Sequence, residues 1–264
     1  MYYWAENVYW ARILEHMIDF TIDKYIELLN ALEQSGVQYK LRHDVDLRPE
    51  NSLKTALIEH SMNIKSTYYF RAVAQSYDEQ IIKKIANLGH EIGYHYESLT
   101  TVNGDLEQAY TDFKTNLERF RKIAVIQSIC MHGSPRSPWD SRDLWKYYNY
   151  HDLGLLYEPY MDTDWSNTLY LTDTGRRWDG YKVSVRDKIP QWQEQWDKQG
   201  LTFHSTDQII AALKDPYSTL RQSKLEMHIT THPQRWNNIG ARWLRELVVQ
   251  NIKNIVKRCL NKKA

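Results

Sequence analysis

Residues 41–46 read Leu41-Arg42-His43-Asp44-Val45-Asp46, and the reading of these six residues decides the rest of the chain. A β-rich run, Val37 to Arg42, follows a helical segment and Gly36, so the aspartates stand where a strand ends. In an extended chain residues i and i+2 point to the same face. Asp44 and Asp46 then lie side by side, facing one cavity. Two carboxylates that close repel each other unless a cation or a shared proton separates them. The pair is therefore a candidate site for a divalent metal and a general base. The competing reading is a helix cap or turn, since Asp is common there and Pro49 follows.

The flanking segments weigh on that choice. Over residues 7–35, Ile13, Met17, Phe20, Tyr25, Leu28, Leu29 and Leu32 recur mostly at three- and four-residue spacings, with one step of five between Phe20 and Tyr25, which predicts a helix stopped by Gly36. After the aspartates the pattern predicts a helix over 49–62, with Pro49 near its first turn, and a strand over 65–70. A helix over 78–88, a strand over 90–95, a helix over 105–122 and a strand over 125–131 follow. Such alternation predicts parallel βα units. Residues 133–200 are rich in Trp, Tyr, Pro and Asp and read as long loops over one end of the domain, with short strands at 155–158 and 168–172. A helix over 205–213 opens with Ser205 and Gln208 as a capping box, and a strand over 225–230 ends at His232. From 238 to 262 a last helix carries Leu244, Leu247, Val248, Ile252, Ile255, Val256 and Cys259 as its apolar stripe. No linker divides the chain, so 1–264 reads as one α/β domain with the first and last helices packed on it.

Composition narrows the function classes. A net charge of +1 gives no electrostatic case for nucleic acid or an anionic membrane. Two cysteines, Cys130 and Cys259, are too few for a disulfide framework and fit a reducing compartment. Met1-Tyr2-Tyr3-Trp4-Ala5-Glu6 lacks the basic start and apolar run of a signal peptide, and no stretch approaches a membrane span. A cytoplasmic chain is the expectation. Ten Trp and nineteen Tyr offer flat apolar faces with polar tips, suited to stacking on sugars.

The remaining candidates gather after strands, where α/β folds place their sites. His90 and His95 lie five apart in Gly89-His90-Glu91-Ile92-Gly93-Tyr94-His95-Tyr96-Glu97 and face opposite ways on a strand. His95 is the inward one, and a neutral imidazole beside two aspartates suits zinc or a similar ion. Glu97 reads as a ligand, as support for one, or as a solvated loop carboxylate. His132, in His132-Gly133-Ser134-Pro135, reads as metal ligand, substrate contact or neither. His232 can serve as a general acid, with Asp173 orienting its ring.

These motifs resemble the polysaccharide deacetylase family along residues 39–236, and look most like its divergent branch in bacterial surface-polysaccharide biosynthesis. The resemblance implies a distorted (β/α) barrel and metal-dependent hydrolysis of a carbon–nitrogen amide bond, N-deacetylation of a sugar. It assigns the general base to Asp44, metal ligands to Asp46 and His95, and a tuned acid pair to Asp173 and His232. The expected cofactor is a divalent metal, zinc first. The expected substrate is a carbohydrate, such as a nucleotide- or lipid-linked N-acetyl sugar. Three features depart from the family. The second metal histidine, expected four residues after the first, is replaced by Leu99, so the third ligand falls to His132 or Glu97. The arginine that pairs with the base is not where expected, Arg136 being displaced. No export signal is present. An inactive carbohydrate-binding barrel, and a deformylase or other amidohydrolase, are the alternative readings.

Overall fold

The computed structural model describes residues 18–134, 137–182, 184 and 186–261. Its centre is a six-stranded, wholly parallel sheet. The strands are β1 (Tyr39–Val45), β2 (Thr67–Phe70), β3 (Glu91–Tyr96), β4 (Ile126–Met131), β5 (Thr168–Thr172) and β6 (Glu226–Thr231), in the spatial order β4-β3-β2-β1-β6-β5. Helices α1 (Ile22–Ser35), α2 (Pro49–Ser61), α3 (Glu79–Asn87) and α4 (Leu106–Arg121) alternate with the first four strands. Farther on come α5 (Pro190–Lys198), α6 (Thr206–Lys214) and α7 (Ala241–Asn261).

The sheet is curled into a distorted barrel. β1 and β4 stand three strand spacings apart, about 14 Å in a flat sheet. Yet side-chain atoms of Asp44 on β1 and Cys130 on β4 lie within 4.8 Å of each other. Among the described residues β4 and β5 do not pair. Tyr157 covers the gap on the β4 side through a parallel bridge to Ser128. Alternation sorts the strand residues. Leu41, Ile92, Ile129, Leu171 and Ile229 join the two apolar layers between sheet and helices. Arg42, Tyr69, Cys130 and Tyr170 point into the barrel, with the Arg42 guanidinium 5.9 Å from the Tyr69 ring and 6.0 Å from that of Tyr170. Gly93 is required by that filling, because a Cβ there would meet the Tyr69 ring at 2.3 Å.

Several boundaries differ from those read in the sequence. The first helix begins at Ile22: Thr21 caps it by accepting from the Lys24 amide at 3.1 Å, and Phe20 before it has φ +59°. Residues 7–17 of the expected helix lie outside the described residues. The loop region holds β5 and the unpredicted helix α5, whereas the strand expected at 155–158 is reduced to the bridge at Tyr157. Ser205 caps α6 as expected, but Gln208 accepts from the His204 amide instead of that of Ser205.

The last helix corrects a further expectation. Leu244, Val248, Ile252 and Ile255 are half exposed or more. Polar contacts set the helix rotation instead. Trp243 donates to the Asp19 carbonyl and Asn254 to that of Gly175, both at 2.8 Å, while Glu246 pairs with Arg48 at 3.0 Å. No helix among the described residues is long and apolar enough to cross a membrane.

Candidate metal centre and acid–base site

Every residue named for chemistry lies at the carboxyl ends of the strands, where a parallel barrel opens. Asp44 is the penultimate residue of β1, and Asp46 follows the strand by one. His95 is on β3, and His132, Asp173 and His232 each follow directly on β4, β5 and β6. Register and curl bring them together. His95 Nε2 lies 3.6 Å from Asp46 Oδ1 and 3.8 Å from Asp44 Oδ2. His132 Nε2 lies 3.5 Å from Asp46 Oδ1, and His232 Nε2 lies 3.7 Å from Asp46 Oδ2.

The ring orientations are fixed from behind. His95 Nδ1 donates to the Cys130 carbonyl at 2.9 Å, an acceptor that has no proton to give. His132 Nδ1 donates to Glu97 Oε2, also at 2.9 Å. Each histidine therefore turns its Nε2 towards Asp46, and in the neutral ring that nitrogen carries the lone pair. Burial alone would raise the Glu97 carboxyl, but His132 and the paired Arg71 bring it down to about 2, so it remains an ionised acceptor. Arg71 grips Glu97 through both carboxylate oxygens, at 2.6 and 2.9 Å. Glu97 is thereby turned away from the open side and supports His132.

Asp46, His95 and His132 form a set of ligand atoms all within 4.8 Å of one another. They fit a divalent metal on an independent observation: Asp46 Oδ1 is buried and has no hydrogen-bond partner, a costly state that a cation would relieve. Burial would raise Asp46, yet His95, His132 and His232 hold it well below the ordinary carboxylate range. Asp44, His95 and Cys130 form a rival set, and it fits less well. Burial pushes the Cys130 thiol up, away from the thiolate that metals bind. Both Asp44 oxygens are already occupied by Arg42. Leu99, at the expected ligand position, is buried in the apolar layer at 2 % exposure, in a single helical turn, Ser98–Thr101.

Two candidate acid–base groups flank Asp46. Arg42 donates to Asp44 from Nε and Nη2, both at 3.0 Å, in a fork that fixes the carboxylate plane. On the other side His232 Nδ1 donates to Asp173 Oδ1 at 2.6 Å. Asp173 also accepts from the His232 amide and from the Trp236 indole, both at 2.9 Å. Burial and Arg235, 2.8 Å from the same ring nitrogen, oppose a charge on His232, but Asp173 and Asp46 outweigh them and raise its affinity for a proton.

Sequence reasoning left Arg42, Arg71 and Arg235 without roles. Only Arg42 carried a legible signal, standing two residues before Asp44 on the same strand face. Arg136 lies outside the described residues. His90, read as facing away, accepts from the Ser66 amide and hydrogen-bonds the Ala56 carbonyl on the outer side of the sheet. His43, left without a role, is buried between Thr231 and Glu59, at 2.7 Å from each.

The geometry makes Glu97 testable by itself. Glu97→Gln removes the charge behind His132 and leaves all ligand atoms in place. Metal affinity should fall roughly 10- to 100-fold, as it does when the partner of a ligating histidine is lost. Competition with a chromogenic chelator measures it.

No family model matches the chain, and no curated protein does. Among solved structures it is similar to a family 4 carbohydrate esterase, PdaA of Bacillus subtilis, at 14% identity over 89% of each chain, with a TM-score of 0.38. The fold assignment stands on the strand order and the curl of the sheet.

Proposed function

We propose that this protein is a metal-dependent hydrolase of carbon–nitrogen amide bonds that removes the acyl group from an N-acetylated sugar. One observation carries the reading. The Asp46–His95–His132 triangle stands between two oppositely built acid–base groups, Asp44 held by a cation and His232 held by an anion. A divalent ion held by Asp46, His95 and His132, zinc being the natural fit for two imidazoles and a carboxylate, would polarise an acyl carbonyl and acidify a bound water. Asp44 takes the proton of the attacking water, while the Arg42 fork keeps its carboxylate aimed into the site. His232, charged through Asp173, donates its Nε2 proton to the departing amine. Asp173 holds the Nδ1–H tautomer, so the proton to be given sits on the side facing Asp46.

Purified protein, loaded with zinc and offered N-acetyl and N-formyl amino sugars, should release acetate and stop on chelation. Release of formate alone would move the reading to a deformylase. Saturable sugar binding that survives chelation, with no product under any metal, would make the chain a carbohydrate-binding barrel.

Asp173→Asn tests the acid. The carboxylate that raises the His232 pKa is gone, so the ring loses its proton at lower pH. Because His232 must be protonated to act, the alkaline limb of the pH–rate profile should move towards acid, and kcat should fall about 10²-fold. An unmoved alkaline limb would remove His232 from the acid role.

A further inference from the structure

A cleft of about 600 Å³ opens beside the site, with Arg142, Arg186, Lys188, Tyr160, Trp165 and Trp192 on its walls. Its charge is one-sided. Asp140 is the sole carboxylate on its walls among the described residues, against three cations. Arg142 forks onto Asp140 at 3.0 and 2.6 Å. Arg186 donates to the Ser134 and Ser137 carbonyls, the latter at 2.8 Å, and stands 3.8 Å from Asp140 Oδ2, so one carboxylate serves two guanidiniums. The Lys188 ammonium has no side-chain partner among the described residues. The start of α5 enters the same wall through Pro190 and Gln191; Pro190 has no amide, Trp192 and Gln193 donate to the Ile189 carbonyl, and no side chain caps the Gln191 amide. An uncapped helix start adds a positive end to the three cations.

The other walls are rings. Trp165 and Trp192 are half-buried, and Trp165 is braced by stacking on His228 at 5.8 Å. Tyr160 lies under the Arg142 guanidinium at 5.3 Å. A neutral sugar chain could use the rings but has no need of the cations. A bare anion could use the cations but not the rings.

The cleft shares two walls with the site. Arg42 Nη2, which holds Asp44, donates also to the Tyr160 hydroxyl at 3.1 Å. A Cβ on Gly133, next to His132, would stand 3.1 Å from Arg186 Cβ. A ligand in the cleft is thus one residue layer from the metal triangle and from the base.

We infer that this cleft binds a nucleoside diphosphate, its base against the tryptophans and its phosphates on Arg142, Lys188 and the start of α5, so that the N-acylated sugar it carries reaches the site. The link to turnover rests on the deacylase reading above; the binding site does not. The test is calorimetric titration of the whole chain with uridine diphosphate, uridine and inorganic pyrophosphate. Chelator is present throughout, so that phosphate at the metal triangle is not counted. Uridine diphosphate should bind at least about tenfold more tightly than either fragment, and more weakly as salt is raised. Arg142→Gln and Lys188→Gln, both at solvent-accessible positions, should each weaken it roughly tenfold, as should Trp192→Leu. Circular dichroism checks that each variant is folded, and Asp44→Asn should bind as the wild type does. No binding of uridine diphosphate, or unchanged binding in Arg142→Gln and Lys188→Gln, overturns the inference. Pyrophosphate binding as tight as uridine diphosphate also overturns it, and leaves a diphosphate on a lipid as the ligand chemistry. Nucleotide binding without acyl release from any sugar nucleotide keeps the cleft and overturns the deacylase reading.

Discussion

Asp44→Asn should lower kcat about 10³-fold, within the range for loss of a general base, while the protein keeps its metal. On the proposed reading the two aspartates of the opening hexapeptide do different work, because their surroundings differ. Both Asp44 oxygens are engaged by Arg42 at 3.0 Å, which fits a carboxylate that is aimed but not given to a metal. Asp46 keeps a buried, unpartnered Oδ1 towards two imidazoles. An amide at 44 cannot accept the water's proton, yet it leaves Asp46, His95 and His132 intact. Asp46→Asn should show the reverse pattern, with metal lost and turnover lost along with it. Metal analysis and kcat measured on the same preparations separate the two. Equal metal loss in both variants would end this division of roles.

Chelation should abolish turnover, and zinc should restore it in the wild type but not in His95→Ala or His132→Ala. Each of these variants removes one of three candidate ligand atoms; the first also takes the imidazole donor from the Cys130 carbonyl, and the second leaves Glu97 to Arg71 alone. Elemental analysis after gel filtration should find metal in the wild type and none in either variant. His95→Ala and Glu97→Gln then make an informative pair. If Glu97 were itself a ligand, its loss would match that of His95; as the support of His132, it should weaken binding and leave the metal in place at saturating zinc. Metal retained in His132→Ala would transfer the third ligand to another group.

Asp44 and Asp46 were legible together because side chains two apart on a strand share a face, whatever the strand packs against. The same rule separated His95 from His90, which the structure puts on opposite sides of the sheet. It also applied one step earlier, to Arg42 and Asp44, but only the buried barrel interior gives that pair its meaning, since on a solvated face the same two residues would be an ordinary surface contact. The alternation of strands and helices likewise settled the parallel α/β class from local pattern, because hydrophobic period is a property of each segment by itself. Rotation of the last helix was not local. Its apolar stripe was real, yet Trp243, Asn254 and Glu246 chose the contacting face through partners at Asp19, Gly175 and Arg48, more than 70 residues away in the chain.

The strand–helix order, the pairing of Asp44 with Asp46 and the inward direction of His95 can be read along the chain, because each follows from the geometry of a few consecutive residues. Only the packed barrel decided which of His132 and Glu97 faces Asp46, and which cation holds Asp44. Those choices depend on how far the sheet curls and on Arg71, at the end of a different strand, reaching Glu97 first. Contacts between strands are made in space, by register and curvature, and no spacing along the chain encodes them.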